Sequence, residues 1–534
     1  MSGFLEFCKT NRSLIVFTAF FAFLAFSAKL FLFTVGIDTE VFIADRSGIH
    51  NVFIEANRFT VVLLQNLWQF YNPLHATILS FVFLASGVVS WAYFISYFDP
   101  KKGKRLPIFA FAAVAVSSPI WAEWLQFALM SAELFFGFFI TPFAIILLFN
   151  GFKKDNKKKI VAAIILMSLL ISAYQAFATL LVFGFAAAFL FLSQESDFDK
   201  KLPIKIFLAF LLALGIYAVV GKSVILLSGI ERGEYLSNMQ RWNFGSIKSN
   251  IINIFGFAYI LTFAKIAPLH EIISTAFLDT AQYTASTGVA VSCRIFELST
   301  VFGSVLLFPL VIIFLIYAFT QKGKMQNKFI YISSVILVPF SVLLFAIALG
   351  GNPPFRTLIT LPLAFGFVFY FLISRSRKRL VVRCFAVAAF ALALHLSQIS
   401  STLFYSDSER FRQDVFLAQQ IDLKIQKIDS ENQGESRPIA FIGRRQLPKS
   451  PIFLRGEAIG FSHFEFFADP FLESSLYGVY FMQSLGMNYA HPDGNQMNLA
   501  RIISREMPIF PKEGSVIDLG DFIVVKLSES AFVE

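Results

Sequence analysis

Apolar runs of roughly twenty residues recur from Leu14 to Leu403, and they leave the chain few folds to choose from. Wound as a helix, each run matches the ~30 Å hydrocarbon core of a bilayer. Lipid offers backbone groups no partners, so a spanning segment must satisfy its own hydrogen bonds. Continuous runs of this kind read as helices, and the chain as a polytopic α-helical membrane protein. Charged residues are 15% of the 534 residues, against about 25% in ordinary soluble proteins. A soluble multidomain chain would need polar linkers between periodic helices here, and neither is visible.

The short polar clusters between the runs set the orientation. The net charge is +10, yet the segment after Tyr405 carries 13 Lys+Arg against 18 Asp+Glu, leaving 32 against 17 before it. The basic excess therefore sits in the loops. It is an orientation signal rather than a nucleic-acid footprint. Lys9 and Arg12 precede a first span over 13–35, which is too long for a signal-peptide core and has no evident cleavage site. Further spans are predicted over 73–98, from Leu106 to Ser117-Ser118-Pro119, over 125–149, and over 202–227. The apolar block 160–192 would be about 50 Å long as one helix, so two short spans turning at Tyr174-Gln175 fit it better. Four more spans bring the count to about eleven, the last over 381–403. Every cluster rich in Lys and Arg (Lys101 to Arg105, Lys153 to Lys159, Lys200-Lys201, Lys322 to Lys328, Arg375 to Arg379) then faces the cytoplasm.

Two domains follow: a multi-span domain over 1–404, with external loops 36–72 and 228–298, and a small α/β external domain over 405–534. Within the long loop, 251–266 and 272–278 read as interfacial or re-entrant helices. In the tail, 409–430 and 471–485 read as helices and 438–443 as a strand. Residues 515–527 read as a hairpin turning at Asp518-Leu519-Gly520-Asp521.

A few charges interrupt this scaffold. Gly36-Ile37-Asp38-Thr39-Glu40 follows the first span. Asp38 and Glu40 are either solvated loop charges or a base, or metal-ligand pair, in an external cleft. On an extended segment residues i and i+2 point the same way. Arg58 and Arg356 either snorkel to headgroups or bind a phosphate, for which the guanidinium fork is suited. Arg356 follows Gly-Gly-Asn-Pro-Pro-Phe, a stiff turn that would fix its position. Glu133 interrupts an apolar stretch, where a charge must face protein or water. Glu123, Glu133, Tyr174 and Gln175 are candidates for lining a cavity, the last two equally for hydrogen bonds between helices. In the tail, Arg455, Glu457, His463, Glu465, Asp469 and His491 are scattered, and both histidines read as isolated surface residues without zinc spacing. Cys8, Cys293 and Cys384 show no ligand or disulfide spacing. No P-loop, dinucleotide fingerprint or Gly-x-Ser-x-Gly elbow occurs. An enzyme working outside the cytoplasm would need a lipid-carried activated substrate.

Taken in order, GIDTE after the first span, Asn57-Arg58-Phe59, Ser172-Ala173-Tyr174-Gln175 and Arg356 after a Gly/Pro turn resemble the GtrII-type glucosyltransferases of O-antigen modification. That family is similar to the GT-C membrane glycosyltransferases. Its pattern has a Gly before the Arg, where this chain has Asn57, and a Trp before that Arg which this chain lacks. The resemblance implies inverting transfer of glucose from undecaprenyl-phosphate-glucose to a hydroxyl of a lipid-linked or surface polysaccharide such as O-antigen. This would occur at the external face of the bacterial inner membrane, served by a donor synthase and a flippase. It implies Asp38 as base, Glu40 as the group that orients hydroxyls or shares a metal, and Arg356 with Arg58 on the lipid phosphate. Two carboxylates are a thin ligand set for a divalent metal, so no cofactor is expected. Rival readings are a flippase or transporter for lipid-linked sugar and a transferase of another group. The flippase would spread charges through the membrane depth and fits an inverted repeat.

Overall fold

The computed structural model describes residues 2–68, 72–99, 105–195, 198–230, 241–263, 301–302, 306–320, 327–351, 353–428, 436–445, 453–466 and 471–530. Of the residues named above, Lys101, Lys102, Lys104, 272–278, Cys293, Lys322, Lys324, Asn352 and Asp469 lie outside them. The chain divides into two compact units. The first holds the described residues of 2–30, 50–263 and 301–401, and the second those of 31–49 and 402–530.

Among its described residues, the first unit is built of helices and contains no strand. Among the described residues, six helices are long and apolar enough to cross a bilayer: Arg12–Phe31, Pro73–Phe98, Ser131–Lys153, Leu202–Ser228, Lys328–Leu349 and Arg379–Ile428. The helices Arg105–Val116 and Ile120–Gln126 make a seventh if taken as one span, bent by 48°. The bend falls at Ser117-Ser118-Pro119, where Pro119 cannot continue the hydrogen-bond ladder. Other apolar runs form shorter helices, Phe59–Trp68, Phe177–Leu192, Leu307–Thr320 and Thr360–Arg375. The block 160–192 does divide at the predicted place. Lys157–Ala173 ends at an extended Tyr174, and Phe177–Leu192 begins three residues on.

Inside a membrane the hydrophobic effect does not drive helices together, so close packing must. The glycines serve it. A Cβ at Gly87 would overlap the ring of Phe138, and one at Gly184 would meet Ile145 and Trp91. Each glycine thus lets a bulky side chain of another helix approach the backbone. Arg375, the first residue of the basic cluster 375–379, ends the helix Thr360–Arg375. It is buried and pairs with Asp99 at 3.0 Å, while Tyr370 donates to the same carboxylate at 2.6 Å. A buried charge needs such partners.

The second unit contains a four-stranded sheet of order β2-β1-β4-β3. The strands are β1 Arg437–Ile442, β2 Tyr489–Ala490, β3 Val516–Asp518 and β4 Ile523–Lys526. β1 runs parallel to β2 and β4, and β3 pairs antiparallel with β4, Ile517 opposite Val524. Alternation along the strands sends successive side chains to opposite faces. Ile439, Phe441, Ile523 and Val525 pack with Leu417, Ile421, Val479 and Met482. Ala440, Ile442 and Val524 pack with Met497, Ala500 and Met507. The hairpin appears as predicted. The helix Gly494–Ser504 and strand β2 are additions, and the helix is opened by a capping box between Asp493 and Gln496. The span over 381–403 and the tail helix over 409–430 are one continuous helix, Arg379–Ile428. No Gly or Pro interrupts the sequence between them.

Candidate active site

Each unit gathers its own set of the candidate side chains. In the second unit, the Thr39 amide donates to the Gly36 carbonyl at 3.0 Å, and Asp38 adopts φ 69° as the residue that caps helix Thr39–Ala44. Asp tolerates this left-handed conformation better than most residues. The geometry corrects the extended-segment expectation. Asp38 lies in a turn and Glu40 in the first turn of a helix, so their carboxylates meet different partners. Asp38 Oδ1 accepts from the Tyr477 hydroxyl at 3.2 Å. Glu40 is fully buried, its Oε1 3.4 Å from His463 Nδ1, which overturns the reading of Glu40 as a solvated charge.

His463 is likewise fully buried, not an isolated surface histidine. Its ring stacks on Phe481 at 4.3 Å and 15°. Its Nε2 lies 3.2 Å from the Val35 carbonyl, which also accepts from Arg410 at 2.9 Å. Arg410 pairs with Asp407 at 2.7 Å and Asp414 at 3.3 Å. These three residues stand at i, i+3 and i+7 of one helix, hence on one face. Asp414 accepts from the Ser462 hydroxyl at 2.6 Å and from the His463 amide at 3.1 Å, and Asp407 accepts from the Gly460 amide at 3.2 Å. Residues 460–463 and Val35 are thereby tied to the same helix face.

Burial pushes the Glu40 carboxyl up to about 8, although nearby backbone amides and the Arg410 charge pull it back. Burial likewise holds the His463 imidazole down at about 3, and the Arg410 charge acts in the same direction. His491 is held down at about 4 by burial, with its ring 4.2 Å from that of Tyr480. Its side chain is half-buried rather than exposed. Arg455 pairs with Glu465 at 3.0 Å.

In the first unit, Arg58 follows a helix ending of Schellman type. The Arg58 amide donates to the Phe53 carbonyl at 2.7 Å, the Asn57 amide donates to Ile54 at 2.8 Å, and Asn57 stands at φ 61°. That position favours Gly and next favours Asn, which accounts for Asn57 standing where the resembled pattern has Gly. The Asn57 carboxamide lies so close over Gly221 that a Cβ there would overlap it.

The turn delivers Arg58 to the break at Tyr174-Gln175. Arg58 Nε donates to Gln175 Oε1 at 3.3 Å, and its guanidinium lies 4.9 Å from the Tyr174 ring centre. Gln175 Nε2 donates to the Ala56 carbonyl at 2.6 Å and lies 3.1 Å from the Tyr217 hydroxyl. Trp124 packs edge-on against Tyr174 at 5.8 Å, and its Nε1 donates to the Arg356 carbonyl at 3.0 Å. The Arg356 guanidinium lies 5.6 Å from the Phe127 ring centre. Glu123, beside Trp124 in the chain, and Glu133, in the first turn of its helix, are both buried.

Arg58, Tyr174 and Gln175 therefore meet directly, and Arg356 joins them through Trp124. Sequence reasoning missed Arg410, Asp407, Asp414, Ser462, Tyr477 and Trp124. The spacing of Asp407, Arg410 and Asp414 was the one available signal. Among the described residues, no three His, Cys, Asp or Glu side chains are grouped so as to hold a metal ion. The family model described as glucosyl transferase GtrII matches residues 27–373. No curated protein and no solved structure matches the chain.

Proposed function

Since the chain belongs to the glucosyl transferase GtrII family, we propose that it is an inverting glucosyltransferase using a polyprenyl-phosphate-linked donor. Membership makes it a membrane glycosyltransferase. The finer reading is that undecaprenyl-phosphate-glucose donates glucose to a hydroxyl of a lipid-linked or surface polysaccharide such as O-antigen. The reaction belongs to the external face of the bacterial inner membrane, with about eleven spans, the N-terminus in the cytoplasm and the tail periplasmic. A donor synthase and a flippase supply the carrier.

The Arg58–Gln175–Tyr174 assembly, inside the matched segment, carries this reading. It holds a guanidinium on a neutral amide and an aromatic face, so its positive charge is not cancelled by those partners. Such a group suits a departing phosphate. Asp38 accepts the proton of the acceptor hydroxyl, and that oxygen attacks the anomeric carbon. The new C–O bond forms as the bond to the carrier phosphate breaks, with inversion. Arg58 and Arg356 stabilise the phosphate as it gains charge. Glu123, Glu133, Tyr174 and Gln175 shape the surroundings.

Surface glycan from cells with and without the gene tests the reading, and glucosylation should appear only with it. Asp38→Asn should lower the rate by roughly 10²- to 10⁴-fold, the usual worth of a positioned base. Unchanged glycan in cells carrying the gene would sink the assignment, and a fully active Asp38→Asn chain would remove Asp38 as the base.

A further inference from the structure

The Glu40–His463 contact fixes a proton count. A carbonyl oxygen only accepts hydrogen bonds, so His463 Nε2, facing Val35 O at 3.2 Å, carries a hydrogen. The other ring nitrogen, Nδ1, faces Glu40 Oε1 at 3.4 Å, with both side chains at 0% exposure. Two bare acceptors facing one another in a dry site repel, and so do two protonated donors. Nδ1 and both Glu40 oxygens are buried with no other hydrogen-bond partner, so one proton shared between them would satisfy both, as a carboxylic acid beside a neutral imidazole or as a carboxylate beside an imidazolium.

The surroundings decide between the two. The charged groups facing the pair are Arg410, paired with Asp407, and Asp414, which also holds the His463 amide. On the packed helix Ser475–Ser484, Tyr477 faces Asp38 rather than Glu40. The Arg410 charge opposes an imidazolium while Asp414 and Asp407 favour one, so burial, the larger effect, decides between the two. Ionising both members of a fully buried pair costs several kcal/mol per ion before their attraction offsets it. The neutral arrangement incurs no such cost.

We propose that Glu40 works as a neutral carboxylic acid whose proton is directed at His463 Nδ1, making His463 a positioning residue and leaving Asp38 as the only anionic base of the GIDTE segment. His463 lies outside the segment matched to the family, so the tail sets the protonation of a residue in the first loop. The inference deepens the glucosyltransferase reading and rests on it for the role of Asp38. The directions of burial already given for Glu40 and His463 agree with the neutral pair.

Infrared difference spectroscopy of the purified full chain reads the proton without any substrate. Wild type minus Glu40→Gln should show a protonated-carboxyl C=O band at pH 7 that vanishes as pH rises past about 8. Carboxylate bands at pH 7 would overturn the proposal.

Activity is read in membrane vesicles with undecaprenyl-phosphate-glucose and lipid-linked O-antigen. Glu40→Gln, which keeps a donor toward Nδ1, should retain more activity than Glu40→Ala and lose any alkaline fall in rate. Glu40→Ala, which leaves Nδ1 buried without a partner, should lose about tenfold or more. His463→Asn, with a carbonyl oxygen near the Nδ1 position, should recover kcat relative to His463→Gln, which retains only the donor toward Val35. A Glu40→Gln chain that is inactive or does not fold, beside an active wild type, overturns the inference and leaves the transferase reading standing. An inactive wild type removes the reading, while the infrared result still decides the proton.

Discussion

Arg58 and Arg410 are the same side chain held in opposite ways. Arg410 is 1% exposed and its charge is met by two carboxylates, Asp407 and Asp414. Arg58 is half-buried and rests on the Gln175 amide and the Tyr174 ring. A guanidinium compensated on two sides is a strut, because any further anion would meet a field already neutralised. One held by neutral groups keeps its field for a ligand. The same contrast separates the carboxylates of GIDTE. Glu40 is sealed against a histidine, whereas Asp38, half-buried, shares a hydrogen bond with a tyrosine hydroxyl.

Removing each arginine tests that contrast most directly. Arg410→Met should destabilise the protein by about 3–5 kcal/mol, since it leaves two buried carboxylates without their cation. Thermal unfolding in detergent measures this, and an unchanged midpoint would deny Arg410 its role as strut. Arg58→Ala should leave the unfolding midpoint nearly in place. It should lower kcat/KM for the lipid-linked donor by about ten- to a hundredfold, the worth of about 1.5–3 kcal/mol for a charged hydrogen bond. Arg58→Lys should recover part of that loss, because the charge returns without the fork. If Arg58→Ala unfolded the chain and spared the donor, the two arginines would not differ as described.

The buried pair predicts a pH dependence smaller than the loss of Arg410. Glu40 is raised from 4.5 to about 8, so its contribution to stability is full below pH 4.5 and is lost as pH rises toward 8. His463 is lowered from 6.5 to about 3, so its contribution grows as pH rises from 3 to 6.5. The two oppose one another between pH 4.5 and 6.5, and only the Glu40 loss remains between 6.5 and 8. The unfolding midpoint should fall across that upper window in wild type and stay flat there in Glu40→Gln. The smallest effect belongs to the turn before Arg58. Asn57→Gly should move stability by less than about 1 kcal/mol and preserve activity, because Gly adopts the same left-handed conformation without strain. A large loss in either would mean that the Asn57 carboxamide over Gly221, rather than the backbone turn, holds Arg58.

Much of the scaffold could be read from local pattern. The helix Pro73–Phe98, the break at Tyr174-Gln175, the helix end at Ser117-Ser118-Pro119 and the closing hairpin all follow from apolar run length and turn residues, which act over a few residues of chain. The family resemblance rested on the order of short motifs, and the match over residues 27–373 supports it. Two local expectations failed for a common reason. Asp38 and Glu40 were expected on an extended segment, but a left-handed Asp38 opens a helix there. His463 was expected at the surface, although Ser462 and His463 are anchored to Asp414, some fifty residues earlier in the chain.

The sequence by itself determined that this chain is a helical membrane protein, which residues carry charge outside the apolar runs, and which family it belongs to. Those properties follow from hydropathy, run length and motif order, all local in the chain. Only the tertiary structure decided that Arg58 rests on Tyr174 and Gln175, and that Glu40 and His463 form a buried pair. Burial and the field of distant charges set the state of an ionisable group, and both exist only once the chain has folded around it.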